Sequence, residues 1–393
     1  MNYLGLDEDL LRNKGGFYAA MEIERQPLLW KQVIEDVEKN ISSIEKFLEK
    51  IDFENTEIIL CGAGSSALAA SVVENTLRNK LSLDVKVVKS TELILQPEVY
   101  LKTDKTVLFV SYGSSGSTPE SVEAVRLAQK LCKDYYQMFV LCSSKGIIPN
   151  QYKNDRTLYI PLPSNTKGNS FAATAEFTCL ILQTLAIFDY KNIEDYKKFV
   201  DYAEKEARDI FENKIEMIKE ISMLDTIAMT TVGSLEYEVL SAESALKAVE
   251  MTSGLFLSNN NSSIEYRHGP KLIMNSPILC LHYIYPDQLI SKYDIDMMNE
   301  VATDHLKGTV IGVGFKQERK IETSYFFELS ENDMVYKKPV LGTLLYALVM
   351  QALLVHISLK LGIKVDWPST DEQVPKVANR VIIYRREELN GEN

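Results

Sequence analysis

The stretch TEIILCGAGSS, residues 56–66, runs from an unbroken apolar segment into two glycines and a pair of serines. An apolar run of this length bounded by a glycine turn reads as a strand buried on both faces, and the following ALAASVVENTLRNKL (67–81) has helical spacing. The same alternation continues. VKVVKS (85–90), TVLFVS (106–111), YQMFVLC (136–142) and TLYIPL (157–162) are short β-branched or aromatic runs, separated by helical stretches such as PESVEAVRLAQKLCK (119–133). Strands alternating with helices predict an α/β fold with a doubly wound parallel sheet covered on both faces.

The plan recurs. DTIAMTTVGS (225–234) parallels TEIILCGAGS, with Gly233 answering Gly64, and PILCLHYIYP and GTVIGVG parallel TVLFVSYGSS and QMFVLCS at an offset near 170 residues. Two tandem α/β domains are therefore expected, at 51–205 and 215–365. A helical N-terminal segment (1–50) precedes them and a C-terminal tail (366–393) follows. The Lys/Glu-rich stretch 191–220 is expected to connect the domains as a helix with a solvated face.

A chain of 393 residues exceeds one ordinary core, which agrees with two domains. The formal net charge of -12 lacks the basic footprint of a nucleic-acid binder, so no nucleic-acid partner is expected. Five cysteines, Cys61, Cys132, Cys142, Cys179 and Cys280, show no metal or CxxC spacing. They read as buried free thiols in a reducing cytoplasm, and no metal site is expected. The start of the chain lacks the pattern of a signal peptide. VLGTLLYALVMQALLVHISL (340–359) is long and apolar, but Gly342, Thr343, Gln351, His356 and Ser358 interrupt it. A buried core helix is expected there, and no membrane partner.

In open parallel sheets ligands bind beyond the carboxyl ends of strands, where helix N-termini present free N–H groups. Both CGAGSSA (61–67) and VSYGSSGSTPES (110–121) fall at such ends. Their glycines admit close approach, and Ser65, Ser66, Ser114, Ser115, Ser117 and Thr118 can donate hydroxyl hydrogen bonds. Pro119 suits the first position of the next helix. This donor set fits a phosphate. The GxxxxGK[ST] loop is absent and GxGxxG is incomplete, so ATP and NAD are disfavoured, and no cofactor is expected.

A second group lies in SAESALKAVEMTSG (241–254). On a helix Glu243, Lys247 and Glu250 fall at i, i+4 and i+7 on one face, amid small and apolar residues that bury the rest, so the stripe is expected to face a cleft. Eighteen residues beyond Glu250, His268 sits in the rigid turn RHGP with a side chain suited to proton transfer near neutrality. Aldose–ketose interconversion needs a group that opens the sugar ring and a base that carries a proton between C1 and C2.

CGAGSSA, SYGSSGSTPES and the repeated plan resemble the sugar isomerase (SIS) domain, over nearly the whole chain. The resemblance implies two flavodoxin-like SIS domains whose serine loops bind a phosphosugar. ESALKAVE with the later EYRHGP resembles the isomerase half of glucosamine-6-phosphate synthase, which implies that Glu250 shuttles the proton and His268 opens the ring. Lys247 and Glu243 would then shape the field, and a neighbouring subunit could supply the histidine, making a homodimer necessary. EIERQPLLW (22–30), ESALKAVEMTSG, YRHGPK and VDWPS (365–369) are similar, in order, to landmarks of the AgaS group of double-SIS proteins. That similarity implies conversion of galactosamine 6-phosphate to tagatose 6-phosphate and ammonia. Tagatose-6-phosphate ketose/aldose isomerisation without deamination and a non-catalytic phosphosugar sensor remain alternatives, as does, more distantly, a fructosamine-phosphate deglycase. Two positions depart from the pattern. Glu176 stands where the family tends to have a small hydroxyl residue, and Asn379 stands where the synthase places a lysine, a role that Lys376 or Arg380 would have to fill.

Overall fold

Two parallel five-stranded sheets organise the chain. The structure is a computed structural model that describes residues 1–79, 81–323, 325–369, 374–376, 378 and 380–385; Asn379 lies outside the described residues. The first sheet contains β1 (Thr56–Gly62), β2 (Val85–Lys89), β3 (Thr106–Gly113), β4 (Tyr135–Leu141) and β5 (Thr157–Tyr159), in the order β2-β1-β3-β4-β5. The second contains β6 (Ala228–Gly233), β7 (Leu257–Ser262), β8 (Leu279–Tyr283), β9 (Thr309–Phe315) and β10 (Tyr325–Leu329), in the order β7-β6-β8-β9-β10. Both follow the doubly wound 2-1-3-4-5 order, whose reversal point falls between β1 and β3 and between β6 and β8. Thr56 pairs with Thr106 at one such point, and Met229 with Leu279 at the other.

Four helices precede the sheets: α1 (Glu8–Lys14), α2 (Phe17–Glu24), α3 (Gln26–Lys39) and α4 (Ile41–Leu48). Those that position the site are α5 (Ser65–Asn79), α6 (Pro119–Leu131), α7 (Ala175–Phe188), α8 (Ile193–Glu212), α9 (Glu236–Met251), α10 (Ile290–Thr303) and α11 (Gly342–Lys360). The N-terminal helices do not stand apart from the first sheet's layer. Gln26 of α3 accepts from Thr178 Oγ1 on α7 at 2.7 Å and donates to Gln351 Oε1 on α11 at 2.6 Å, and Trp30 Nε1 donates to Thr178 at 3.0 Å.

Helix α11 is apolar around its whole circumference, and its apolar stretch is entirely enclosed by the rest of the chain. Most of its polar groups find protein partners, Gln351 Nε2 being the exception. Ser358 donates to Met251 O at 2.7 Å, Tyr346 to Ile284 O at 2.8 Å, and His356 Nε2 bonds Leu4 O at 3.0 Å. A helix so covered and so satisfied is a core element, in agreement with the reading of residues 340–359.

Register refines one reading of the repeat. Gly62 ends β1 as Gly233 ends β6, so Gly233 answers Gly62 rather than Gly64. The reason is steric. A Cβ on Gly62 would lie 3.0 Å from Ala67 N, and one on Gly233 would lie 2.5 Å from Tyr237 O, because each strand end packs against the helix that follows. Gly64 has another role: at φ +54 it turns the chain into α5 with open space beside it.

Candidate active site

Helices α5 and α9 pack together and run antiparallel. Asn75 Nδ2, near the end of α5, donates to Glu236 Oε2 at the start of α9 at 3.1 Å. The opposite ends therefore meet as well, and α9, which belongs to the second sheet's layer, lies with its last turns over the carboxyl end of the first sheet. A cavity of about 350 Å³ opens there, at the reversal point between β1 and β3.

One wall is the cradle read from sequence. Ser65 and Ser66 line it from the first turn of α5, and Ser114, Ser115 and Thr118 from the loop between β3 and α6. Ser114 Oγ is buried without a protein partner, which leaves its hydrogen-bonding capacity for a ligand. The loop is braced from behind. Cys142 N donates to Gly113 O at 3.1 Å and Ile148 N to Gly116 O at 2.9 Å, and a Cβ on Gly146 would fall 2.2 Å from Ser115 O.

Ser117 departs from the expectation. Its hydroxyl accepts from Ile147 N at 3.1 Å and it does not line the cavity, so it holds the loop's shape instead. Glu120, in the opening turn of α6, does line the cavity, with Oε2 buried and unpartnered.

The opposite wall is the stripe of α9. Lys247 and Glu250 line the cavity and are ion-paired; Glu243 lies behind them, 3.5 Å from Lys247 Nζ and fully buried. Burial opposes the charge on Lys247, but Glu243, Glu250 and Glu176 outweigh it and hold the ammonium above the ordinary lysine range. Burial pushes Glu243 up to about 7; Lys247 draws it down, Glu250 raises it, and the Ser65 hydroxyl lowers it. The second sheet's layer thus brings to the first sheet's cradle a fixed cation, a partly exposed carboxylate and a carboxyl that titrates near neutrality.

His268 lies elsewhere. It is exposed in the turn Glu265–His268, beyond β7, and does not line the cavity. Ser262 at the end of β7 pairs with Gly233, just before α9 begins, whereas Glu250 is nearly four turns along that helix, about 20 Å away. Within one chain His268 therefore does not share the cavity that Glu250 lines. The turn itself is anchored on α10, where Arg267 and Lys271 meet Glu300 at 2.7 and 2.6 Å.

Two cavity residues come from distant segments. Glu176, in the first turn of α7, is 2% exposed and accepts from Gly168 N at 3.1 Å and Thr174 N at 3.2 Å. Lys376 of the tail donates to Gly168 O at 2.5 Å and stands 3.7 Å from Glu176 Oε1. Arg380 does not line this cavity. The sequence marked Glu176 only as a departure from a pattern, and no local signal places Glu120 at the site.

The cysteines take no part. All five are unpaired, and burial raises the thiols of Cys61, Cys142, Cys179 and Cys280. Among the described residues no group of three or more His, Cys, Asp or Glu is placed to hold a metal.

The second sheet repeats the topology without the cradle. Asp294 of α10, fully buried, accepts from Ser234 Oγ at 2.6 Å and from Tyr285 N at 2.8 Å, so donors at the ends of β6 and β8 are already occupied by a carboxylate of the same chain.

No family model matches the chain. Among curated proteins it is similar to the D-galactosamine-6-phosphate deaminase AgaS of Shewanella sp. (strain ANA-3), with 29% identity over 383 residues, covering 96% of this chain and 95% of that protein. The protein of the same description from Escherichia coli O157:H7 is 26% identical over 373 residues, covering 94% of this chain and 96% of the relative. Among solved structures, one from Clostridium novyi NT, provisionally assigned as a tagatose-6-phosphate ketose/aldose isomerase, superposes with a TM-score of 0.93 at 28% identity, covering 98% of this chain and 99% of that one. The tagatose-6-phosphate ketose/aldose isomerase of Escherichia coli shares the fold, with a TM-score of 0.85 at 24% identity, covering 95% of this chain and 97% of that one. Along nearly its whole length the chain is thus similar in sequence to D-galactosamine-6-phosphate deaminases of the AgaS group, and it shares the fold of the solved tagatose-6-phosphate ketose/aldose isomerases.

Proposed function

We propose that the protein isomerises and deaminates an amino-sugar phosphate, converting galactosamine 6-phosphate and water to tagatose 6-phosphate and ammonia. The observation that carries this reading is the convergence in one cavity of the Ser65, Ser66, Ser114, Ser115 and Thr118 cradle with the Lys247–Glu250 pair. The cradle holds the phosphate. Glu250 removes the C2 proton of the opened sugar and delivers it to C1, and the Lys247 ammonium stabilises the negative charge that develops on oxygen. Glu243 sets the field behind them. The product of that transfer bears an imine at C2, to which water adds and from which ammonia leaves; no metal or organic cofactor is required.

Ring opening falls to His268 of a second copy. Exposed apolar side chains flank both halves of the required pair: Val249 beside Glu250, and Ile264 and Leu272 beside the histidine turn, 52% and 73% exposed. A two-fold dimer that buries both patches would place each histidine over the other chain's site, because in an isologous interface each surface meets the other reciprocally. Five unpaired cysteines and a phosphorylated sugar substrate suit a reducing compartment, and we place the enzyme in the cytoplasm.

The test is direct. Incubation with galactosamine 6-phosphate should yield ammonia and tagatose 6-phosphate in equal amounts, with glucosamine 6-phosphate as the comparator. Interconversion of tagatose 6-phosphate with its aldose, without ammonia from the amino sugar, would instead favour the plain isomerase, the activity assigned to the Clostridium novyi protein.

A further inference from the structure

The cavity is richer in negative charge than a phosphate site calls for. Among the described residues, Glu120, Glu176 and Glu250 line it against Lys247 and Lys376, with Glu243 behind. For a plain sugar phosphate this surplus is repulsive. For a sugar phosphate that also carries an ammonium group it is complementary, since the ligand's own cation can take the place of a wall lysine beside a carboxylate.

The carboxylates differ in what they are free to do. Glu250 is engaged by Lys247 and, as the base, would lose proton affinity beside a further cation. Glu120 lies in the opening turn of α6, beside the phosphate cradle. Glu176 remains. It is rigid, because two backbone N–H groups hold its oxygens, and an ammonium already stands beside it: Lys376 Nζ is 3.7 Å from Oε1 and 2.5 Å from Gly168 O. The wall therefore accepts an alkylammonium at that spot, and the lysine that occupies it belongs to a tail segment whose side chain keeps 20% exposure.

We propose that Glu176, with the Gly168 carbonyl, forms the seat for the C2 ammonium of the substrate and is the residue that selects an amino sugar over its hydroxy counterpart. Lys376 holds the place until substrate arrives and then turns toward solvent. This inference rests on the proposed amino-sugar substrate and assigns the recognition of its nitrogen to a position where the resembling family tends to carry a small hydroxyl residue.

The experiment compares two ligands that differ only at C2, galactosamine 6-phosphate and galactose 6-phosphate, on the full-length wild type, E176Q and K376M. The readouts are KM and kcat for the first and the competitive inhibition constant for the second, with calorimetric Kd values where turnover is absent. E176Q, which keeps a side-chain acceptor for Gly168 N, should weaken the amino sugar about tenfold or more through KM, with little change in kcat, and leave galactose 6-phosphate unchanged or tighter. K376M should keep the preference for the amine. Equal weakening of both ligands in E176Q, or loss of the preference in K376M, would overturn the seat and leave Glu176 as an anchor for the tail. If E176Q is too unstable to assay, E176D keeps the charge and withdraws it by one methylene, and an unaltered preference there, with both ligands bound normally, would also count against the seat. Wild-type turnover with an unaltered ratio in E176Q overturns the seat but not the reaction; an amine preference in binding that E176Q abolishes, without any turnover by the wild type, supports the seat and overturns the reaction.

Discussion

Lys247 and Glu250 are ion-paired three residues apart on α9, yet the lysine side chain is 1% exposed and the glutamate 26%. The cation is fixed in the wall and the carboxylate reaches into the cavity. Such a pair suits a proton transfer in which one member stays charged throughout while the other changes state. E250Q should therefore lower kcat by about 10²- to 10⁴-fold, the usual contribution of a general base. Inorganic phosphate, titrated calorimetrically, should bind the variant as it binds the wild type; near-normal turnover in E250Q would remove Glu250 from this role.

The cradle makes a paired prediction. Ser114 Oγ is buried and unpartnered, whereas the Ser117 hydroxyl is committed to Ile147 N. S114A should raise KM about tenfold or more with kcat little changed, the expected loss of one hydrogen bond to a charged group. S117A should leave KM within about threefold and lower Tm by a few degrees, since it removes one brace from the loop. The reverse pattern would exchange the two assignments.

Glu243 gives the chain a pH-dependent stability. Its carboxyl, normally near 4.5, titrates at about 7 in the folded chain because it is buried. Between those values the folded state binds the proton more tightly than the unfolded state, so stability from this group is fully present below the ordinary glutamate range and falls as pH rises toward 7, by on the order of 3 kcal/mol. E243Q does not titrate. Scanning calorimetry should find the Tm of E243Q rising relative to the wild type between pH 5 and pH 8, and a constant difference across that range would contradict the assignment.

A shared active site is open to complementation. If each cavity uses Glu250 of its own chain and His268 of its partner, E250Q and H268N should each be nearly inactive alone. Unfolded together and refolded as random dimers, they should recover about a quarter of wild-type activity, because half of the dimers are mixed and each mixed dimer has one intact site. No recovery, with mixed dimers verified by mass spectrometry, would place the histidine and the carboxylate in the same chain or remove one of them from the reaction.

Much of this arrangement could be read from short-range pattern. The apolar runs of β1 and β6, the glycine turns that follow them, and the i, i+4, i+7 stripe of Glu243, Lys247 and Glu250 are local signals, and each lies where its spacing placed it. The strand-end position of each serine loop is also local once the alternation is recognised, so the loops were legible at the ends of β1 and β3. The remainder depends on contacts across the chain. Nothing near Glu120 or Lys376 indicates that they meet at one cavity, since that follows from how α6 and the tail lie around the first sheet. Ser117 shares its composition with its neighbours and differs only in a bond to residue 147. The residue type of His268 suits proton transfer, but its separation from Glu250 reflects the end of β7 lying at the start of α9, which the sequence does not show.

The Asp294 carboxylate at the ends of β6 and β8 has a consequence for the duplication as a whole. With the donors there satisfied internally, a saturating phosphosugar should bind with a stoichiometry of one per polypeptide rather than two, however alike the two halves are in outline. On that stoichiometry the second half serves as a buttress that lends the helix after its first strand, α9, to its sibling's cavity.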